Sequence, residues 1–176
     1  MQKSGHVFTG MASGLLAMSI LLHKIPTNFF NLNIFFWLLI VYIFTMSGGT
    51  APDWLEISWW DPQKGRQSVI KHRTITHVLI LWIGAFVYSF MNLNKGWTIP
   101  LLGFSIGGLT HLLFDIPNPT GVPIWHPYKR FSFKLWKSGE NEFILIMGWW
   151  AICSFIFITI NPQVLSFFLM LSNYFG

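Results

Sequence analysis

Thr98-Ile99-Pro100-Leu101-Leu102-Gly103-Phe104-Ser105-Ile106-Gly107-Gly108-Leu109-Thr110-His111-Leu112-Leu113-Phe114-Asp115-Ile116 is the stretch on which the reading of this chain turns. It is apolar almost throughout and close to the roughly 20 residues that an α-helix needs to cross the hydrocarbon. Its last turn carries His111 and Asp115 at i, i+4, so the two share one helix face about one turn apart. A carboxylate at that depth is costly unless it is paired or bound to a cation. Imidazole plus carboxylate suits zinc, manganese or iron. The same two residues equally suit a plain hydrogen bond that fixes the helix end.

Other segments of similar character flank it. Residues 7–22 are short and rich in small residues (Gly10, Ala12, Ser13, Gly14, Ala17), which favours close packing on a neighbouring helix. Residues 29–47 are the most lipophilic, and 75–93 and 143–160 also qualify. A sixth segment, 163–175, is short enough to be a half-helix, an interfacial piece or a truncated span. The expected fold is therefore all-α: a polytopic transmembrane bundle with five or six hydrophobic segments, forming a single integral-membrane domain over residues 1–176. A cleaved signal peptide is not expected, because no clear small-x-small cleavage site precedes the turn at His23 and Lys24 and because His6 is a candidate site residue.

Composition agrees. Of 176 residues, 53% are hydrophobic and only 10% charged, with mean hydropathy +0.52. Soluble domains carry about 25% charged residues, so a typical cytosolic enzyme, a disordered tail and a basic nucleic-acid-binding domain are excluded, and no nucleic-acid partner is expected. The lone Cys153 permits no internal disulfide and leaves the redox compartment open.

If each segment crosses, one side of the membrane holds the N-terminus and the polar stretches 48–74 and 117–142. Lys3, Lys64, Arg66, Lys71, Arg73, Lys129, Arg130, Lys134 and Lys137 lie there, against Lys24 and Lys95 opposite. The positive-inside rule makes that side cytoplasmic. All six acids and five of the six histidines fall on it too. Orientation rules do not ask for this, since acids contribute little to them. Something on the cytoplasmic face collects carboxylates and imidazoles.

Three further motifs supply the candidates. His72-Arg73-Thr74-Ile75-Thr76-His77 opens the third segment: either a solvated interfacial patch with a snorkelling arginine, or metal ligands beside a guanidinium suited to phosphate. Pro52-Asp53-Trp54-Leu55-Glu56 offers two carboxylates as ligand and general base, or simply a helix N-terminus. His6 precedes the first segment, a bystander unless the bundle gathers it. His126, in the Pro-rich loop, is a weaker candidate. Helix ends converging on one face would bring together His6, Asp53, His77, His111 and Asp115 as ligands of a divalent metal, zinc or manganese, with Glu56, His72 and Arg73 as catalytic residues.

These residues resemble the YdjM-like bacterial inner-membrane proteins, described as predicted membrane-bound metal-dependent hydrolases. The shared pattern is Gly5-His6, Pro52-Asp53, His72-Arg73 with Thr76-His77, His111 with Asp115, and Thr120 to Pro123 followed by Pro127. Arg130-Phe131 and 139–142 are also similar, so the likeness covers roughly residues 5–145. It implies a bacterial inner-membrane location, a helical fold and a metal site. The family often reads Pro-Asp-x-Asp-His where this chain has Leu55 and Glu56. Glu56 then substitutes as a ligand, or the site holds fewer metals.

The reading that follows is a metal-dependent hydrolase at the cytoplasmic face, acting on a phosphoester or a lipid-like amphiphile from the surrounding bilayer. Two alternatives stand beside it. A metal or ion transporter would place polar groups near the midplane and along both halves of the path, whereas the outer half here offers little beyond His23. A non-catalytic membrane adaptor would use the polar face to dock a partner and bind no metal. Oligomeric state is not encoded in any of these features.

Overall fold

The backbone of an apolar run must satisfy its own hydrogen bonds in a membrane, and helices do this within one segment. The computed structural model, which describes residues 1–24, 32–68, 70, 73–164, 166 and 169, follows that rule. Its helices are α1 (Lys3–Lys24), α2 (Leu32–Gly48), the short α3 (Ala51–Trp54), α4 (Leu79–Met91), α5 (Thr98–Asp115) and α6 (Glu142–Ile160). Among the described residues three helices are long and apolar enough to cross a membrane: α1, α5 and α6; α2 and α4 are apolar but shorter. Most of the segment 163–175 lies outside the described residues.

The polar stretches hold two small antiparallel hairpins that an all-helical reading does not specify. One pairs β1 (Ser58–Asp61) with β2 (Gly65–Ser68), and the other pairs β3 (Val122–Pro123) with β4 (Arg130–Phe131). Asp61 closes the first turn by accepting the backbone N–H groups of Gln63 and Lys64, both at 2.8 Å. Trp59 and Trp60 stand exposed on β1, as interfacial anchors do.

The third hydrophobic segment begins its α-helix later than its apolar run. Ile75–His77 form a single 3₁₀ turn, Val78 is extended, and α4 starts at Leu79. Backbone hydrogen bonding explains the delay. The Trp82 indole N–H donates to the Thr76 carbonyl at 2.7 Å, and the Ile80 N–H to Ile124 at 3.2 Å. These contacts hold the turn open and aim His77 inward.

The central element is α5, which packs on α1, α2 and α4. Its contact with α2 is very close. A Cβ on Gly107 would lie 2.1 Å from the Thr45 carbonyl oxygen, and one on Gly103 would lie 2.3 Å from that of Val41. Only a hydrogen fits at either place, the small-residue logic of membrane helix packing. Leu38, Val41, Leu102 and Ile106 fill the core beside this seam, with Ala17 and Leu21 of α1.

A polar rung crosses the apolar interior. Ser13 Oγ lies 2.7 Å from Thr110 Oγ1 and accepts the Trp149 indole N–H at 2.8 Å, tying α1 to α5 and α6. Farther along, Asn161 donates to Ser19 at 3.0 Å. Most of α6 is otherwise exposed, and Cys153 is its buried residue. That exposure is what lipid contact requires, and it assigns Cys153 a packing role.

Candidate metal centre

Four elements end at one place. Gly10 of α1 and Gly49, just past α2, let those backbones touch, since a Cβ on Gly10 would meet the Gly49 Cα at 3.2 Å. The approach brings the His6 ring onto His111 of α5, stacked at 3.7 Å between centroids and 16° between planes. Pro52, early in α3, presets the backbone that presents Asp53. The 3₁₀ turn supplies His77, whose ring meets His111 edge-on at 5.3 Å.

His111 is the hub. Its Nδ1 lies 2.9 Å from the Gly49 carbonyl oxygen. A carbonyl can only accept, so Nδ1 carries the proton and Nε2 keeps its lone pair. That Nε2 is buried without a hydrogen-bond partner. It faces Asp115 Oδ2 at 3.6 Å along the helix and Asp53 Oδ1 at 3.7 Å across it. His77 Nε2 lies 3.5 Å from the same Asp53 oxygen, and His6 Nε2 lies 3.5 Å from Asp115 Oδ1.

These spacings test whether the residues fit a cation. Good N–H···O bonds run about 2.7–3.2 Å, so the four contacts are longer than strong hydrogen bonds. Nitrogen and oxygen ligands held at about 2.0–2.1 Å around a tetrahedral ion stand about 3.3–3.4 Å apart. The observed separations are near that second value. Two groups, His6/His111/Asp115 and Asp53/His77/His111, each keep their ligand atoms within 4.8 Å of one another. Both include His111, and they meet at its one available nitrogen. The donor set fits a divalent ion.

Supporting contacts hold these side chains in place. Glu56, almost wholly buried, has Oε1 3.7 Å from His77 Nδ1 and accepts the Arg73 backbone N–H at 2.9 Å. Arg73 adopts φ 58°, a left-handed conformation rare for a non-glycine residue. That turn points its guanidinium back to Asp115, with Nη2 2.9 Å from Oδ2 and Nη1 donating to Thr120. Asp115 Oδ1 also accepts from Asn118 at 3.0 Å and lies 3.2 Å from the Met1 ammonium.

Burial separates the candidates. His6, His77, His111 and Asp115 are closed to solvent, while the Asp53 side chain stays 36% exposed and forms the opening. Burial works to raise the Asp53 pKa, but the His77 contact and the imidazoles of His111 and His6 outweigh it and hold the carboxyl at about 2. Near neutral pH Asp53 is thus an ionised carboxylate, the form that binds metal.

The sequence candidates separate as follows. His6, Asp53, His77, His111 and Asp115 come together, with Glu56 and Arg73 directly behind them. His72 lies outside the described residues. His126 is exposed on its loop, where it accepts the Tyr128 N–H at 3.4 Å. Sequence reasoning passed over Asn118, although an amide three residues beyond Asp115 is a legible signal. It had no means of finding the Gly49 carbonyl.

The sequence profile of the YdjM inner membrane protein family matches residues 1–175. The chain belongs to that family. Relatives named inner membrane protein YdjM, from Escherichia coli (strain K12) and from Shigella flexneri, are each 36% identical over 67 residues. That stretch is 36% of this chain and 34% of each relative, so the match spans about a third of the curated YdjM proteins. No solved structure matches. YdjM membership and the apolar helices support an inner-membrane location.

Proposed function

We propose that the chain is a single integral-membrane domain, multi-pass, with its N-terminus in the cytoplasm, and that it is a metal-dependent hydrolase of phosphoester or lipid-like substrates at that face. The observation that carries the reading is His111 Nε2, buried, partnerless and set 3.6 and 3.7 Å from two carboxylates.

His6, Asp53, His77, His111 and Asp115 would hold the ion, zinc or manganese on the chemistry of the donors. When bound, such an ion supplies Lewis acidity that makes water nucleophilic near neutral pH and draws charge from a phosphoryl group. The chain does the rest. Gly49 holds the proton on His111 Nδ1, which leaves its Nε2 as a ligand atom; His77 Nδ1 meets the Thr76 hydroxyl at 3.1 Å, with the Glu56 carboxylate behind it at 3.7 Å. Arg73, forked between Asp115 and Thr120, offers planar donors to a phosphoryl oxygen. The partly exposed Asp53 marks the side from which substrate arrives.

The deciding experiment measures metal content and hydrolysis together. Purified protein in nanodiscs is assayed on a panel of phospholipids and soluble phosphoesters, with and without added zinc or manganese. Metal-dependent release that disappears in Asp115→Ala is expected. An Asp115→Ala variant with wild-type metal content and wild-type turnover would overturn the reading.

A further inference from the structure

A cavity adjoins the centre. It has a volume of about 400 Å³ and is lined by Arg73, Asn118, Thr120, Arg130, Lys137 and Ser138, together with Pro119. That is within the range of small-molecule sites, about 300–1,000 Å³. Its charged lining is entirely cationic: Arg73, Arg130 and Lys137, with no carboxylate among them. Arg73 is paired with Asp115 behind the wall, and the further positive charge of Arg130 and Lys137 suits an anion carrying more than one negative charge.

The cavity is joined to the metal centre through two of its own walls. Arg73 reaches Asp115 Oδ2 at 2.9 Å, and Asn118 donates to Asp115 Oδ1 at 3.0 Å. Each has a buried polar atom still lacking a hydrogen-bond partner: Nε of Arg73, a donor, and Oδ1 of Asn118, an acceptor. A buried donor and acceptor left unsatisfied are costly. The wall that the cavity shares with Asp115 is thus rich in polar atoms, which suits a polar, charged occupant. Hydroxyls of Thr120 and Ser138 on the same wall add donors of the kind that phosphate oxygens take.

The rim is amphipathic. Between Tyr128 and Lys137 the chain alternates cations with apolar side chains, and Tyr128, Phe131, Phe133 and Leu135 are exposed. Basic and aromatic side chains interleaved in this way suit the headgroup region of an anionic leaflet.

We infer that this cavity is the phosphate subsite of the centre, where Arg130 and Lys137 select substrates carrying a phosphomonoester, borne by a lipid headgroup or by a soluble ester. The inference rests on the hydrolase reading for its neighbour but concerns binding alone.

The test is made on the full chain in phosphatidylcholine nanodiscs, with metal content read in parallel. Glycerol 3-phosphate is titrated calorimetrically, and phosphatidic acid retained against phosphatidylcholine is measured by mass spectrometry. Arg130→Gln and Lys137→Gln should each weaken binding on the order of tenfold and leave metal content unchanged. Arg130→Lys and Lys137→Arg should recover most of it, which separates charge from folding. Binding of both probes supports a soluble or lipid phosphomonoester, and retention of phosphatidic acid alone assigns the lipid. If wild type binds no metal yet phosphate affinity depends on Arg130 and Lys137, the hydrolase reading fails and the subsite stands. If metal is bound and neither probe binds, or if the Gln variants bind like wild type, the subsite is overturned.

Discussion

Nδ1 of His111 lies 2.9 Å from the carbonyl oxygen of Gly49, so the chain just past α2 decides which nitrogen of a histidine on α5 meets the carboxylates. The relationship ties the chemistry of the His111 ring to the packing of two helices, and the expectations below follow from it.

His111→Ala should remove more bound metal than either His6→Ala or His77→Ala, because both candidate ligand groups include His111. Elemental analysis of the three variants, each checked for helicity by circular dichroism, gives the comparison. Equal losses across the three would argue that His111 is not the shared ligand.

Gly107→Ala should destabilise the bundle by about 1–3 kcal/mol, the usual cost of overpacking. The added methyl would sit 2.1 Å from the Thr45 carbonyl oxygen, which is backbone and cannot step aside. Metal content should fall with it, since spreading α2 from α5 moves Gly49 away from His111. Thermal melts in detergent alongside elemental analysis measure both. A variant that melts like wild type would mean the helices close less tightly than described.

Ser13→Ala should cost about 0.6–1.7 kcal/mol, the scale of interhelical hydrogen bonds in membranes, by breaking the rung among Ser13, Thr110 and Trp149. Its metal content should match wild type. Loss of metal here would show that the rung governs the centre rather than only the packing of α6.

Acidification should release metal as protons compete with the ion for the imidazoles of His6, His77 and His111. Asp53, ionised down to about 2, contributes nothing to a loss that occurs above that pH. Metal retained after dialysis across a pH series is the readout. Metal retained undiminished down to about pH 3 would count against histidine ligands.

Much of this was legible in the chain, for identifiable reasons. Apolar length declares a spanning helix, because a bilayer leaves the backbone few other options. The i, i+4 spacing of His111 and Asp115 follows from helix geometry alone. The small residues of 7–22 announced a close seam. What escaped depends on the third dimension. The partner of His111 Nδ1 is a main-chain carbonyl, and no side chain advertises it. The late start of α4 follows from hydrogen bonds that Trp82 and Ile80 make with distant backbone. The cavity beside Arg73 draws Arg130 and Lys137 from a loop whose path only the β3–β4 pairing reveals.

The 36% exposure of the Asp53 side chain, set against the closure of its four companions, makes traffic with the centre one-sided. An ion arriving or leaving must pass that carboxylate first. Loading would then track the free metal in one compartment only, and a chelator added from the opposite face of a sealed vesicle would strip nothing.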